Sequence, residues 1–164
     1  MIGTKILGFG GYQPDKVVTN DDLAKIVDTN DEWIRTRTGI ESRRVAADDE
    51  TVADMAEVAG AKALAASGLE PADVDLVVVA TCSPESPLPN VAATVAYRLG
   101  IPAPGAYDLN AACAGFCYAI GAASDSVRAG SARNVLVIGA EKMTSWVDWT
   151  DRSTCIILDR KSVV

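Results

Sequence analysis

The 164-residue sequence contains no histidine. A Ser-His-Asp or Cys-His catalytic arrangement, a histidine-ligated zinc and a histidine general base therefore cannot be completed within it. Cysteine is sparse, at positions 82, 113, 117 and 155, with no Cys-x-x-Cys pair. That pattern argues against a disulfide framework or a four-cysteine zinc site, so no metal is expected. Fifteen Lys and Arg stand against 22 Asp and Glu, a net charge of −7, and no basic run occurs. Nucleic acid is not an expected partner. Long apolar runs are missing as well: residues 76–80 and 135–138 are far too short to span a bilayer. The first eight residues lack the basic leader and apolar stretch of a signal peptide. These absences together give the expectation of a protein of a reducing cytoplasm with no membrane partner.

What is present is enough to fold. Hydrophobic residues make up 49% of the chain and charged residues 23%, which supports a buried core. One compact domain is the default for this length. Strand and helix signals alternate along the chain, pointing to an α/β fold with βαβ crossovers. Residues 6–9 read as a strand ending at Gly10-Gly11. Asn20 reads as the cap of a short helix over 21–27, and Asn30 as the cap of a second over 31–37, stopped by Gly39. Thr51 and Asp54 form a capping box for a longer helix closed by Gly68, with Val52, Met55, Ala56, Ala59, Ala63 and Leu64 on one face.

The run 74–81 is the clearest strand, apolar enough to lie centrally with both faces covered. A loop with Pro84, Pro87 and Pro89 follows, then a helix over 91–99 capped by Asn90. Residues 106–109 read as a short strand that turns into a small-residue helix ending near Ala129, with Gly130 behind it. Residues 134–140 read as a further buried strand.

The sharpest chemical feature is Cys113, placed where the strand 106–109 gives way to that helix. A cysteine there meets the positive end of a helix dipole and unpaired backbone N–H groups, which favour the nucleophilic thiolate and can hold an oxyanion. Ala111, Ala112, Ala114 and Gly115 leave room for a substrate. Residue chemistry alone also accommodates a second reading, a small buried hydrophobe in a tight turn. Cys117, one helical turn on, reads as a core residue, and Cys82 and Cys155 as structural.

Three motifs then carry a resemblance. They are residues 28–34 (Asp-Thr-Asn-Asp-Glu-Trp-Ile) running into 36–40 (Thr-Arg-Thr-Gly-Ile), residues 111–116 (Ala-Ala-Cys-Ala-Gly-Phe) and residues 150–154 (Thr-Asp-Arg-Ser-Thr). In that order they resemble the N-terminal half of the β-ketoacyl-acyl-carrier-protein synthase III family, the condensing enzymes that initiate fatty-acid synthesis. The resemblance implies a thiolase-like α/β fold: the N-terminal half of a five-layered α-β-α-β-α arrangement with a mixed, mainly parallel sheet, residues 1–164 forming one thiolase-like domain. It implies acyl transfer from acyl-CoA to Cys113, followed by Claisen condensation with malonyl-acyl-carrier-protein in fatty-acid or related polyketide initiation. Trp33 and Arg152 are implied to clasp the adenine of CoA, Thr29 to contact the base, Arg37 to sit by the phosphates and Leu88 to shape the acyl pocket. An indole offers a stacking surface, and a guanidinium can stack or bind phosphate bidentately. Taken singly, Trp33 also reads as a core residue and the two arginines as solvated charges.

No cofactor is implied beyond acyl-CoA as substrate, and a homodimer formed through strand 135–140 is expected. The His- and Asn-bearing second half of the family is not in this sequence. Residues 155–164 depart from the family pattern, which continues into a Gly-Asp-Gly-Ala-Gly turn. The alternative reading is therefore a non-catalytic truncated fragment that pairs with a condensing-enzyme subunit or carrier protein through its alanine-rich helices.

Overall fold

A computed structural model describes residues 3–157 together with the backbone of Ser162 and Val163. The chain divides into two compact units, each assembled from separated stretches of sequence.

The first unit comprises residues 1–12, 51–141 and 162–164. Its centre is β4 (Leu76–Ala80), in which every residue is apolar and Val77, Val78 and Val79 are fully buried. β4 pairs in parallel with β5 (Gly105–Leu109) on one side and with β6 (Val135–Gly139) on the other. Antiparallel β7 (Ser162–Val163) meets β6 at Gly139, and β1 (Gly11–Tyr12) pairs with β7, giving the order β1-β7-β6-β4-β5. The sheet is mixed and mainly parallel, and its central strand β4 is buried on both faces as such sheets require.

On one face lies α3 (Val52–Ser67), opened by the Thr51–Asp54 capping box and closed by Gly68 in the left-handed region at φ 71°. Its buried stripe is Val52, Met55, Ala56, Ala59, Ala63 and Leu64, joined by Gly60, which lets the side chains of Leu136 and Ile138 approach closely. α4 (Val91–Arg98), capped by Asn90, packs beside it. On the opposite face lies α5 (Gly115–Ala129), entered through the 3-10 turn Ala112–Ala114. α5 buries only Gly115, Ala119 and Ala123, a spacing of four that lays one narrow ridge on the sheet. Cys117, Tyr118 and Ile120 on its other side are exposed.

The second unit comprises residues 13–50 and 142–161. β2 (Lys16–Thr19) pairs antiparallel with β3 (Ser42–Val45), and α1 (Asn20–Leu23) and α2 (Asp31–Thr38) lie between them in sequence. α6 (Arg152–Cys155) brings the later stretch into the same core, where Leu23, Ile34, Cys155 and Ile156 pack with Trp33, Val147 and Trp149.

Four expectations are corrected. Residues 3–10 form no strand; a Cβ at Gly8 would stand 2.6 Å from Ala63 O and Ser67 N, so the segment lies flat on α3 and pairing begins at Gly11. Thr19, not Asn20, caps α1, through a capping box with Asp22, while Asn20 turns inward and is 1% exposed. Cys117 is exposed, because α5 meets the sheet through Gly115, Ala119 and Ala123, with Phe116 against Gly139, and Cys117 lies off that face. The strand 135–139 lies inside the sheet, bonded to β4 along its length, so the outer edge beyond β4 belongs to β5. Of the segment 155–164, set apart above from the family pattern, residues 158–161 and 164 lie outside the described residues.

Candidate active site

Cys113 sits in the 3-10 turn between β5 and α5, and its thiol is exposed. The residue before it, Ala112, has φ +46°. A non-glycine residue in that left-handed region costs on the order of 1 kcal/mol, and such strain gathers where a side chain must be presented sharply. Neither Ala111 nor Ala114 provides a side-chain cap. The carbonyls of the 3-10 turn serve instead: Ala114 N donates to Ala111 O at 3.1 Å and Gly115 N to Ala112 O, beside the exposed cysteine.

Behind the end of β4 is a carboxylate that the sequence gives no reason to single out. Glu141, just past β6, accepts the Cys82 amide at 2.8 Å, the Thr81 hydroxyl at 3.3 Å and, closely, the Ser83 hydroxyl. These bonds fix the start of the loop that carries Leu88, whose side chain is 83% exposed. Burial pushes the Cys82 thiol up to about 11, helped by its hydrogen bond to Glu141 and by that carboxylate's charge. Cys82 is therefore a protonated, unreactive thiol at neutral pH. Its pairing with Glu141 spans strands remote in sequence, so no local signal could have revealed it.

In the second unit the structure gathers three of the residues singled out by motif. The Arg37 guanidinium lies 4.6 Å from the centroid of the Trp33 indole, and that of Arg152 lies 4.8 Å from it. Arg37 reaches the ring from the next turn of α2, the ordinary i, i+4 relation on a helix. Arg152 comes from α6 and also donates to Asp28 O at 3.0 Å. Asn30 caps α2 by accepting the Trp33 amide at 2.8 Å, and Gly39 ends it at φ 72°, so the ring is held on a helix closed at both ends. The ring's inner edge packs on the core around Ile34, which leaves it half-buried. Next to Asp28, the Thr29 hydroxyl oxygen is buried with no hydrogen-bond partner among the described residues. A hydroxyl left in that state costs about 1–3 kcal/mol. Cys113 and Leu88 belong to the first unit, and Thr29, Trp33, Arg37 and Arg152 to the second.

The fold is thiolase-like. A crystal structure of 3-oxoacyl-[acyl-carrier-protein] synthase III from Aquifex aeolicus matches 98% of this chain, and 52% of its own, at a TM-score of 0.95 and 48% identity. The priming β-ketosynthase from the R1128 polyketide biosynthetic pathway matches 97% of this chain and 48% of its own, with a TM-score of 0.94 and 42% identity.

The sequence carries the identification further. Residues 107–159 match the family model for 3-oxoacyl-[acyl-carrier-protein (ACP)] synthase III. β-Ketoacyl-[acyl-carrier-protein] synthase III 4 of Streptomyces coelicolor is 58% identical over 156 residues, covering 95% of this chain and 49% of that protein. Along 95% of its length the chain is thus similar to one half of a β-ketoacyl-acyl-carrier-protein synthase III. It spans about half the length of the curated relatives it matches.

Proposed function

We propose that this chain is the acyl-accepting part of a β-ketoacyl-acyl-carrier-protein synthase III, acting in fatty-acid or related polyketide initiation. The observation that carries the reading is Cys113, an exposed thiol on the strand-to-helix turn behind left-handed Ala112. The Cys113 thiolate attacks the carbonyl carbon of an acyl-CoA. The oxyanion that forms is stabilised by neighbouring backbone N–H groups, and the intermediate collapses by expelling the CoA thiolate, leaving an acyl-cysteine. Trp33 and Arg152 hold the adenine, Thr29 contacts the base, Arg37 meets the phosphates and Leu88 borders the acyl chain. Condensation then transfers the acyl group to the carbanion released from malonyl-acyl-carrier-protein by loss of carbon dioxide. With no histidine in the sequence, a histidine that assists that step is not a residue of this chain.

No cofactor beyond the CoA substrate and no metal enters the scheme. The setting proposed is the cytoplasm; among the described residues no helix is long and apolar enough to cross a membrane. A homodimer would form through β5, which among the described residues is the last strand in the order of the sheet, by pairing with its two-fold copy.

Incubation with labelled acetyl-CoA followed by peptide mapping tests the reading. Label is expected on the peptide containing Cys113 and is expected to vanish in Cys113→Ala. Label that persists in that variant, or that appears only elsewhere, overturns it. A second reading, a non-catalytic fragment that pairs with a condensing-enzyme subunit or carrier protein, is favoured by the uncovered apolar face of α5 at Tyr118 and Ile120. Sedimentation with and without such a partner separates the two readings.

A further inference from the structure

Arg43 and Asn20 are each 1% exposed, which is unusual for a cation and an amide that no reaction step uses. Their hydrogen bonds form a chain across the second unit. Arg43 donates through Nη1 to Asn20 Oδ1 at 2.8 Å and through Nη2 to Ile156 O at 2.5 Å. Asn20 in turn donates through Nδ2 to Asp31 Oδ1 and to Ile40 O, both at 2.8 Å. Asp31 is the first residue of α2, Ile40 follows its Gly39 cap, and Ile156 caps the C-terminus of α6. One buried pair therefore reaches both ends of the helix that carries Trp33 and the end of the helix that carries Arg152.

A buried guanidinium is costly to desolvate, and an apolar side chain of similar volume would fill the same space more cheaply. What an apolar residue lacks is the fork that reaches Asn20 and Ile156 at once. The two cations on the indole also differ in what holds them. Arg37 shares α2 with Trp33 and reaches the ring along its own helix, whereas Arg152 is on another element and its place depends on how α6 is anchored.

We propose that Arg43 and Asn20 are positioning residues, which clamp the end of α6 to both ends of α2 and so hold Arg152 over Trp33. The functional meaning of the clamp rests on the reading of Trp33 and Arg152 as a nucleotide platform. The clamp aligns the Arg152 guanidinium with the ring before ligand arrives, so binding does not have to order it.

Side-chain NMR of the full chain tests this without any ligand. The protons of Arg37 and Arg152 are expected to be shifted upfield by the indole, since the two guanidinium groups lie 4.6 and 4.8 Å from its centroid, and Trp33→Leu defines the unshifted values. In Arg43→Met, Arg43→Lys and Asn20→Ala the Arg152 signals are expected to move to those unshifted values, while the Arg37 signals stay. Retention of both shifts in the variants overturns the proposal. Loss of both together also overturns it, since it would mark a general loss of structure rather than of the clamp. With CoA itself as probe, the same variants are expected to bind about tenfold more weakly, the loss of one charge-assisted hydrogen bond. If the unaltered chain fails to bind CoA, the nucleotide reading falls, while the NMR shifts still decide the clamp.

Discussion

Asp108, on β5, accepts the backbone amide of Val91 at 2.9 Å and so closes the start of a helix that precedes it in sequence. Its second oxygen takes the Ala92 amide at 2.8 Å, and Asn90 takes that of Ala93. Three of the four orphan donors of α4 are thereby satisfied, with a negative charge at the positive end of the dipole. Asp108→Ala is expected to lower stability by about 1–2 kcal/mol, and Asp108→Asn by less, because an amide keeps an acceptor. Urea denaturation measures both; an unchanged midpoint for the alanine variant would show that the cap contributes nothing.

Acid should destabilise the chain through carboxylates held below their usual range. The amides of Asn134 and Arg133 lower Asp75. For Asp54 burial pushes upward, but the Thr51 hydroxyl and amide and the Arg98 guanidinium outweigh it and the net direction is down. Groups depressed in the fold contribute stability above the unfolded carboxylate value, near 3.9, that is lost as pH falls through their folded values. The melting temperature is therefore expected to drop below about pH 4, and Asp75→Asn should flatten that drop. An equal acid slope in the variant would remove Asp75 from the account.

The thiols should separate by reactivity. Exposed Cys113 and Cys117 are expected to react with iodoacetamide at pH 8 well before Cys82 and buried Cys155. Glu141→Gln removes a hydrogen-bonded negative charge beside Cys82, so its thiol should ionise at lower pH and alkylate faster. Peptide mass spectrometry over time reads each site. A Cys82 rate that is unmoved, or slowed, in the variant contradicts this electrostatic account.

Two glycines should respond to alanine with opposite signs. Gly10 lies against α3, where a Cβ would collide with Ala59 O and the Ala63 amide, so Gly10→Ala is expected to cost more than about 2 kcal/mol. Gly121 lies on the exposed side of α5 with nothing within 4 Å of an added Cβ, and Gly121→Ala should stabilise by about 0.5–1 kcal/mol. Thermal denaturation of the two variants side by side is the check: a Gly10→Ala variant that is not destabilised refutes the packing described for Gly10, and a destabilised Gly121→Ala refutes the open space described at Gly121.

Much of the local structure was legible because its causes are local. Asn30, Asn90 and the Thr51–Asp54 box cap the helices the sequence assigns to them, and Gly39 and Gly68 end two of these, and Gly130 ends α5, in the left-handed region. The apolar run of β4 announced a central strand. What stayed hidden depends on partners distant in sequence. The β2–β3 ribbon joins strands of four residues whose pattern is weak, and residues 135–139 look the same in composition whether they lie inside a sheet or at its edge. Asn20 has a capping residue's chemistry, but Thr19 takes that place because Arg43, Asp31 and Ile40 draw Asn20 inward. At the site, the motifs named Trp33, Arg37 and Arg152, and the structure brings them together. Glu141 carried no such signature.

The second unit joins residues 13–50 to residues 142–161, with β4, β5 and β6 of the first unit between them in sequence. On a ribosome making roughly 5–20 residues per second, the early stretch emerges several seconds before the later one can be made. During that interval Leu23 and Ile34 have no Cys155 or Ile156 to pack against. The indole of Trp33 and its future partner Arg152 are thus separated in time as well as in sequence. The nascent chain must keep this apolar surface from other contacts, and is most open to chaperones or premature association, before its own cation arrives.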